Sequence, residues 1–152
     1  MVALGYNYRI DEIRSAIGRV QLGRIPAGNK RRSELVAMYR EKFSKALPEV
    51  TLPFAEVRGQ SSYHIMPVLL PSGVSKQTVM QQLKEQGIQT SWHYPLIHQF
   101  SIYQEAGRNS NLPVSVEFSQ RELTLPLYPG MTDEQLQLVV DALSKAVSQY
   151  RR

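Results

Sequence analysis

The sequence predicts an α+β fold, with helices packed on one side of a short, mainly antiparallel sheet. Three observations predict it. Several segments repeat apolar residues at the spacing of one helix face. Between them lie short runs rich in β-formers, closed by proline or glycine. The two kinds of segment show no sustained βαβ alternation and no internal repeat, which argues against a parallel sheet. With 152 residues, 42% hydrophobic and 20% charged, the chain suits one globular domain that buries about two-thirds of its unfolded surface. No linker divides it.

The elements follow in order. Over 10–22 the residues Ile10, Ile13, Ala16, Ile17 and Val20 fall on one helical stripe, with Asp11 as N-cap or first-turn acid. Gly23 and Pro26 predict its end, and a second helix over 27–47 carries Leu35, Val36, Met38, Tyr39 and Phe43 on its apolar side. Pro48 stops it. Residues 50–52 predict a short strand, and 63–70 a longer one in which Pro67 marks an edge or a bulge. Ser75 caps a helix that runs to about Gln86, with Gly87 as its terminator. Residues 88–92 predict a strand and 93–111 a loop with short turns. A short helix over 114–121 leads into a strand at Leu123 that Pro126 ends. Thr132 and Gln135 form a capping-box pair for a closing helix with Leu136, Val139, Val140, Leu143, Ala146 and Val147 on one broad face.

Composition excludes several chemistries. There is no cysteine, which removes disulfides, thiolate nucleophiles and cysteine metal sites. No apolar run approaches the ~18 residues of a membrane span, and the start shows no secretory pattern. A cytoplasmic location without membrane partners is the expectation. The net charge of +5 is unevenly placed: residues 1–47 hold ten Lys/Arg against four Asp/Glu, and the remainder eight against nine. Solvated helix faces, a field for an anion such as a phosphate, and pairing with chain outside this sequence all account for that excess.

Three histidines, His64, His93 and His98, lack metal-ligand spacing, so no metal site is expected. No Gly-x-Ser-x-Gly elbow, phosphate-binding glycine loop or dinucleotide fingerprint occurs. Asp11-Glu12 and Asp133-Glu134 read as first-turn helix acids. Two segments stand out. Gly5-Tyr6-Asn7-Tyr8-Arg9 precedes a helix, where it either presents donors to an anion or simply makes a glycine turn with aromatic packing. His93-Tyr94-Pro95-Leu96-Ile97-His98 lies on a predicted loop after a strand, where binding residues often sit, although capping or packing would use the same side chains.

These segments and the tail resemble the sugar aminotransferase family known as DegT/DnrJ/EryC1/StrS, within the fold-type I aminotransferases that use pyridoxal phosphate. The resemblance runs through Gly5-Tyr6-Asn7-Tyr8-Arg9-Ile10-Asp11-Glu12-Ile13-Arg14 with Val20-Gln21-Leu22, Arg31-Arg32 with Tyr39, Ser62-Tyr63-His64, His93 to His98, and Leu123-x-Leu125-Pro126-Leu127-Tyr128-Pro129-Gly130-Met131-Thr132-Asp133-Glu134. The five stretches occur in the family's order and cover essentially the whole chain.

The resemblance implies that residues 1–152 are the small C-terminal domain, with the helices that link it to a large coenzyme-binding domain outside this sequence. It implies a homodimer that takes an amino group from glutamate to a nucleotide-linked keto-sugar, in amino-sugar or polysaccharide biosynthesis. The family's Schiff-base lysine lies upstream of the Gly-Tyr-Asn segment, and no lysine of this chain sits in such a context. No catalytic residue is therefore expected here, and this chain alone is expected to be inactive and to hold no coenzyme. By resemblance Asn7 reaches the coenzyme phosphate, with Arg9 near the same boundary, and His93 and Tyr94 border the sugar-nucleotide site. Trp92 departs from the smaller residue the pattern implies, and its bulk reshapes the substrate side. A sugar dehydratase on the same scaffold is the alternative within the family. Outside it, the alternative is a non-catalytic binding module that uses its basic first third, although basic and aromatic residues are not interleaved as a nucleic-acid platform requires.

Overall fold

The computed structural model describes residues 8–54, 56, 59–103, 105 and 111–150. Helix α1 spans Glu12–Ala46. Its N-cap is Asp11, whose Oδ1 accepts from the Arg14 backbone N–H at 2.8 Å. Leu47 closes it by donating its N–H to the Phe43 carbonyl at 2.9 Å, and Pro48 follows.

This single helix corrects the expectation of two. Pro26 lies inside it, and Gly23 does not take up the left-handed conformation of a helix terminator. An interior proline forfeits one backbone hydrogen bond and crowds the preceding turn, at about 3 kcal/mol. Helical hydrogen bonding on either side continues past that local loss. Downstream, Leu35, Val36, Tyr39 and Phe43 are buried on one face.

Strand β1 (Met66–Leu69) pairs antiparallel with β2 (Glu122–Leu125), setting Met66 opposite Leu125 and Leu69 opposite Glu122. The predicted strand over 63–70 is shortened at its start because Tyr63 sits at φ 48°, outside extended backbone. The predicted strands over 50–52 and 88–92 reduce to single bridges, Thr51 to Leu69 and Ser91 to Thr124. Leu69 directs its N–H to the Thr51 carbonyl at 2.8 Å, so by alternation Pro67 turns its missing donor toward that sparsely bonded side.

Helix α2 (Lys76–Glu85) begins at Ser75, whose hydroxyl accepts from the Thr78 N–H. It ends at Gly87, φ 76°, where the Ile88 N–H reaches the Leu83 carbonyl and the Gly87 N–H the Lys84 carbonyl, both at 2.9 Å. Two short 3₁₀ turns, Ile97–Gln99 and Ser101–Tyr103, occupy the next loop. Helix α3 (Pro113–Arg121) opens with proline in its first turn, where a missing N–H costs nothing. Helix α4 (Asp133–Ser148) carries the predicted capping box: Thr132 Oγ1 accepts from the Gln135 N–H, and Gln135 Oε1 accepts from the Thr132 N–H at 3.0 Å.

One apolar cluster unites α1, α2, α4 and a single face of the sheet. Tyr39, Phe43, Val79, Leu83, Leu136, Val140 and Leu143 meet Met66, Val68, Leu123 and Leu125 there. Tyr39 also donates its hydroxyl to the Pro126 carbonyl at 3.0 Å. Arg31 ties α1 to the start of α4, donating to the Met131 carbonyl at 2.9 Å and to Asp133 Oδ1 at 2.8 Å.

Two outcomes are expected. Thr132→Ala removes one half of the reciprocal cap and should lower stability by about 0.5–2 kcal/mol in urea unfolding. Burial first, and the neighbouring Tyr128 second, push the Tyr39 phenol well above its ordinary value. A folded-state value raised in this way contributes stability below the unfolded value of 10.0 and loses it as pH climbs above that value. Between about pH 8 and about pH 11 the urea midpoint should therefore fall further for the native sequence than for Tyr39→Phe.

Candidate functional site

The alternation of β2 creates two different faces. Leu123 and Leu125 enter the core, so Glu122 and Thr124 point the other way. Both are nevertheless buried, Glu122 to 1% exposure. A buried carboxylate needs partners, and the segment after Ser91 supplies them. Ser91 and Thr124 exchange two backbone hydrogen bonds, 3.2 and 2.7 Å, which hold the chain against β2. The next turn brings His93 over the polar face. Its backbone N–H donates to Glu122 Oε2 at 2.8 Å, while Thr124 Oγ1 lies 2.6 Å from Glu122 Oε1 and 2.9 Å from His93 Nδ1.

A cation completes the surroundings. Lys76, buried at the start of α2, donates from Nζ to the Ser119 carbonyl at 2.6 Å and lies 5.1 Å from the centre of the Trp92 ring. Burial lowers its pKa, and the charge of Glu122 acts in the opposite direction. Trp92 thus stacks under an ammonium group, a use that its sequence position did not reveal.

The predicted site residues divide into two groups. His93 and Tyr94 are brought together, their rings edge to face with centres 4.8 Å apart. Tyr94 is exposed and borders a cleft of about 620 Å³ with Pro95, His98, Tyr103, Phe118 and Ser119. Ser119 Oγ donates to the Tyr94 carbonyl at 3.3 Å. Asn7 lies outside the described residues. Arg9 is exposed ahead of α1, and from Glu12 to Leu35, the first buried residue of that helix, is about 35 Å along the axis.

Sequence reasoning missed Glu122, Thr124 and Lys76. One signal was present: in Glu122-Leu123-Thr124-Leu125 a period of two places the acid and the hydroxyl on one face. Among the described residues no three His, Asp or Glu groups are placed to hold a metal ion, and no helix is long and apolar enough to cross a membrane.

Solved structures share this architecture. Helicobacter pylori PseC, an aminotransferase involved in the biosynthesis of pseudoaminic acid, superposes with a TM-score of 0.87 at 28% identity over 97% of this chain and 40% of its own. DesV of S. venezuelae, solved in complex with a ketimine intermediate, gives 0.81 at 28% identity over 95% and 38%. NtdA of Bacillus subtilis, solved with bound cofactor PMP, gives 0.82 at 23% identity over 98% and 35%, a likeness of fold alone. The chain thus spans about 40% of the length of the longer proteins it matches. The family description "DegT/DnrJ/EryC1/StrS aminotransferase family" matches residues 1–144. With that match running through the helix α1 segment, the His93 loop and the capped closing helix alike, the chain belongs to the DegT/DnrJ/EryC1/StrS aminotransferase family.

Proposed function

We propose that this chain is the C-terminal part of a pyridoxal-phosphate-dependent aminotransferase that moves an amino group from glutamate to a nucleotide-linked keto-sugar. The observation that carries the reading is the family match over residues 1–144, supported by near-complete superposition on about two-fifths of solved sugar aminotransferases. The coenzyme, when bound, supplies an electron sink. It asks for an amine to carry it, a carboxylate for its ring nitrogen and donors for its phosphate.

The described residues do not assemble that set. Lys42 donates to Gln137, Lys45 to Glu41, and Lys76 is enclosed by Ser119 and Trp92. Lys30, Lys84 and Lys145 are exposed on helix surfaces. The described residues by themselves do not supply what the coenzyme needs. In this reading the chain adds Asn7 and Arg9 on the phosphate side and His93 and Tyr94 on the sugar-nucleotide side to a site built by residues outside this sequence. The setting is cytoplasmic amino-sugar or polysaccharide biosynthesis by a homodimer.

The first half of α1 supports a missing partner surface. Ile13, Ile17 and Val20 lie on one stripe of it, with Ile10 just ahead of the Asp11 cap, and all four are between 56% and 75% exposed. In this reading that stripe packs on the large domain or a second subunit.

Two measurements test these statements. The longer protein that carries this chain should transfer nitrogen from glutamate to a nucleotide-linked keto-sugar, and the 152-residue chain should not; transfer by the latter unaided would overturn the reading. Light scattering should show the 152-residue chain self-associating as concentration rises, with Ile17→Asp reducing the effect. A clean monomer at high concentration would count against the exposed stripe as a docking face.

A further inference from the structure

The hydrogen bonds around Glu122 carry information about the protons on His93. Both carboxylate oxygens are engaged, Oε2 by the His93 N–H at 2.8 Å and Oε1 by Thr124 Oγ1 at 2.6 Å. An ionised carboxylate only accepts, so with Glu122 in that form both oxygens take hydrogens from their partners. The hydroxyl proton of Thr124 is therefore spent on Glu122. What remains on Oγ1 are lone pairs, yet His93 Nδ1 lies 2.9 Å away. The proton between them must come from the ring. That leaves Nε2 as the bare nitrogen of the neutral imidazole, and Nε2 has no hydrogen-bond partner among the described residues. The Tyr94 ring, edge to face at 4.8 Å, limits rotation of the imidazole.

We propose that Glu122 acts through Thr124 as a positioning residue, holding neutral His93 in its Nδ1–H tautomer so that Nε2 faces the ligand as a hydrogen-bond acceptor. The ligand group it takes is then a donor, a hydroxyl or an ammonium, and not a phosphate or carboxylate oxygen. The second statement rests on the reading of His93 as a border of the sugar-nucleotide site; the tautomer does not.

The test is long-range ¹H–¹⁵N NMR of the labelled 152-residue protein, which distinguishes protonated from bare ring nitrogens. In the native sequence neutral His93 should show a protonated Nδ1 and a bare Nε2, favoured by roughly tenfold or more, as one hydrogen bond tied to a charged group would impose. Glu122→Gln should reverse it. The His93 N–H requires the new carbonyl, so the amide NH₂ must face Thr124, whose hydroxyl then donates to Nδ1 and moves the ring proton to Nε2. Thr124→Ser should retain the native tautomer and Thr124→Val should lose the preference, a pair that decides the matter if Glu122→Gln does not fold. A native Nε2–H ring, an unchanged tautomer in folded Glu122→Gln, or equal tautomer ratios in Thr124→Ser and Thr124→Val would overturn the proposal. Titration of the longer protein that carries this chain with UDP-N-acetylglucosamine addresses the other reading separately. A shift at Nε2 with Nδ1 still protonated supports the ligand role, whereas silence at His93 counts against His93 as a site residue of this chain and leaves the tautomer result standing.

Discussion

The antiparallel register between Met66–Leu69 and Glu122–Leu125 is the constraint on which the other features depend. It places Leu123 and Leu125 beside Met66 and Val68 in the core, and by the same alternation it presents Glu122 and Thr124 to the opposite side. A slip of one residue would bury the acid among leucines and expose two leucines to the His93 segment. Core packing thus selects the register, and the register in turn builds the polar site. The price of burying Glu122 is met by hydrogen bonds from the segment that carries His93, so the site and its support form together.

Helix α1 serves two environments. Its second half supplies Leu35, Val36, Tyr39 and Phe43 to the core, while its first half leaves an isoleucine and valine stripe in the open. Its basic residues are also put to local use. Arg31 bridges to Met131 and Asp133, Arg32 donates to the Ser62 carbonyl, Arg40 to the Phe54 carbonyl, and Lys42 to Gln137. Four of the ten basic residues in the first third therefore fasten the helix to the rest of the chain. A guanidinium group does this well because its planar fork reaches two acceptors at once. Such anchoring accounts for part of the charge pattern without a nucleic-acid ligand.

Local signals in the sequence were translated faithfully. Ser75, Gly87 and the Thr132–Gln135 pair act within one helical turn of their own position, so neighbours in sequence suffice to define them. Errors arose where a distant contact or a long-range balance decides. Pro26 resembles a terminator, yet one lost hydrogen bond did not end a helix that continues on both sides. Thr51 and Ser91 look like members of strands, but each finds only one partner residue across the sheet. Of the candidate site, His93 and Tyr94 were legible from their clustering and from family resemblance. Glu122, Thr124 and Lys76 were not: Glu122 and Thr124 stand 29 and 31 positions from His93, Lys76 stands 16 from the Trp92 ring it approaches, and these partners meet only through the fold.

By itself the sequence determined the fold class, the order of most elements, the helix caps and the family, since these rest on periodicity, on short-range hydrogen bonding and on motifs that survive in linear order. Only the tertiary structure decided that α1 is continuous, that the outer strands shrink to bridges, and that a buried carboxylate orients His93 through a threonine. Those outcomes depend on pairing energies between residues far apart in the chain, and no local pattern encodes which distant partner a side chain will meet.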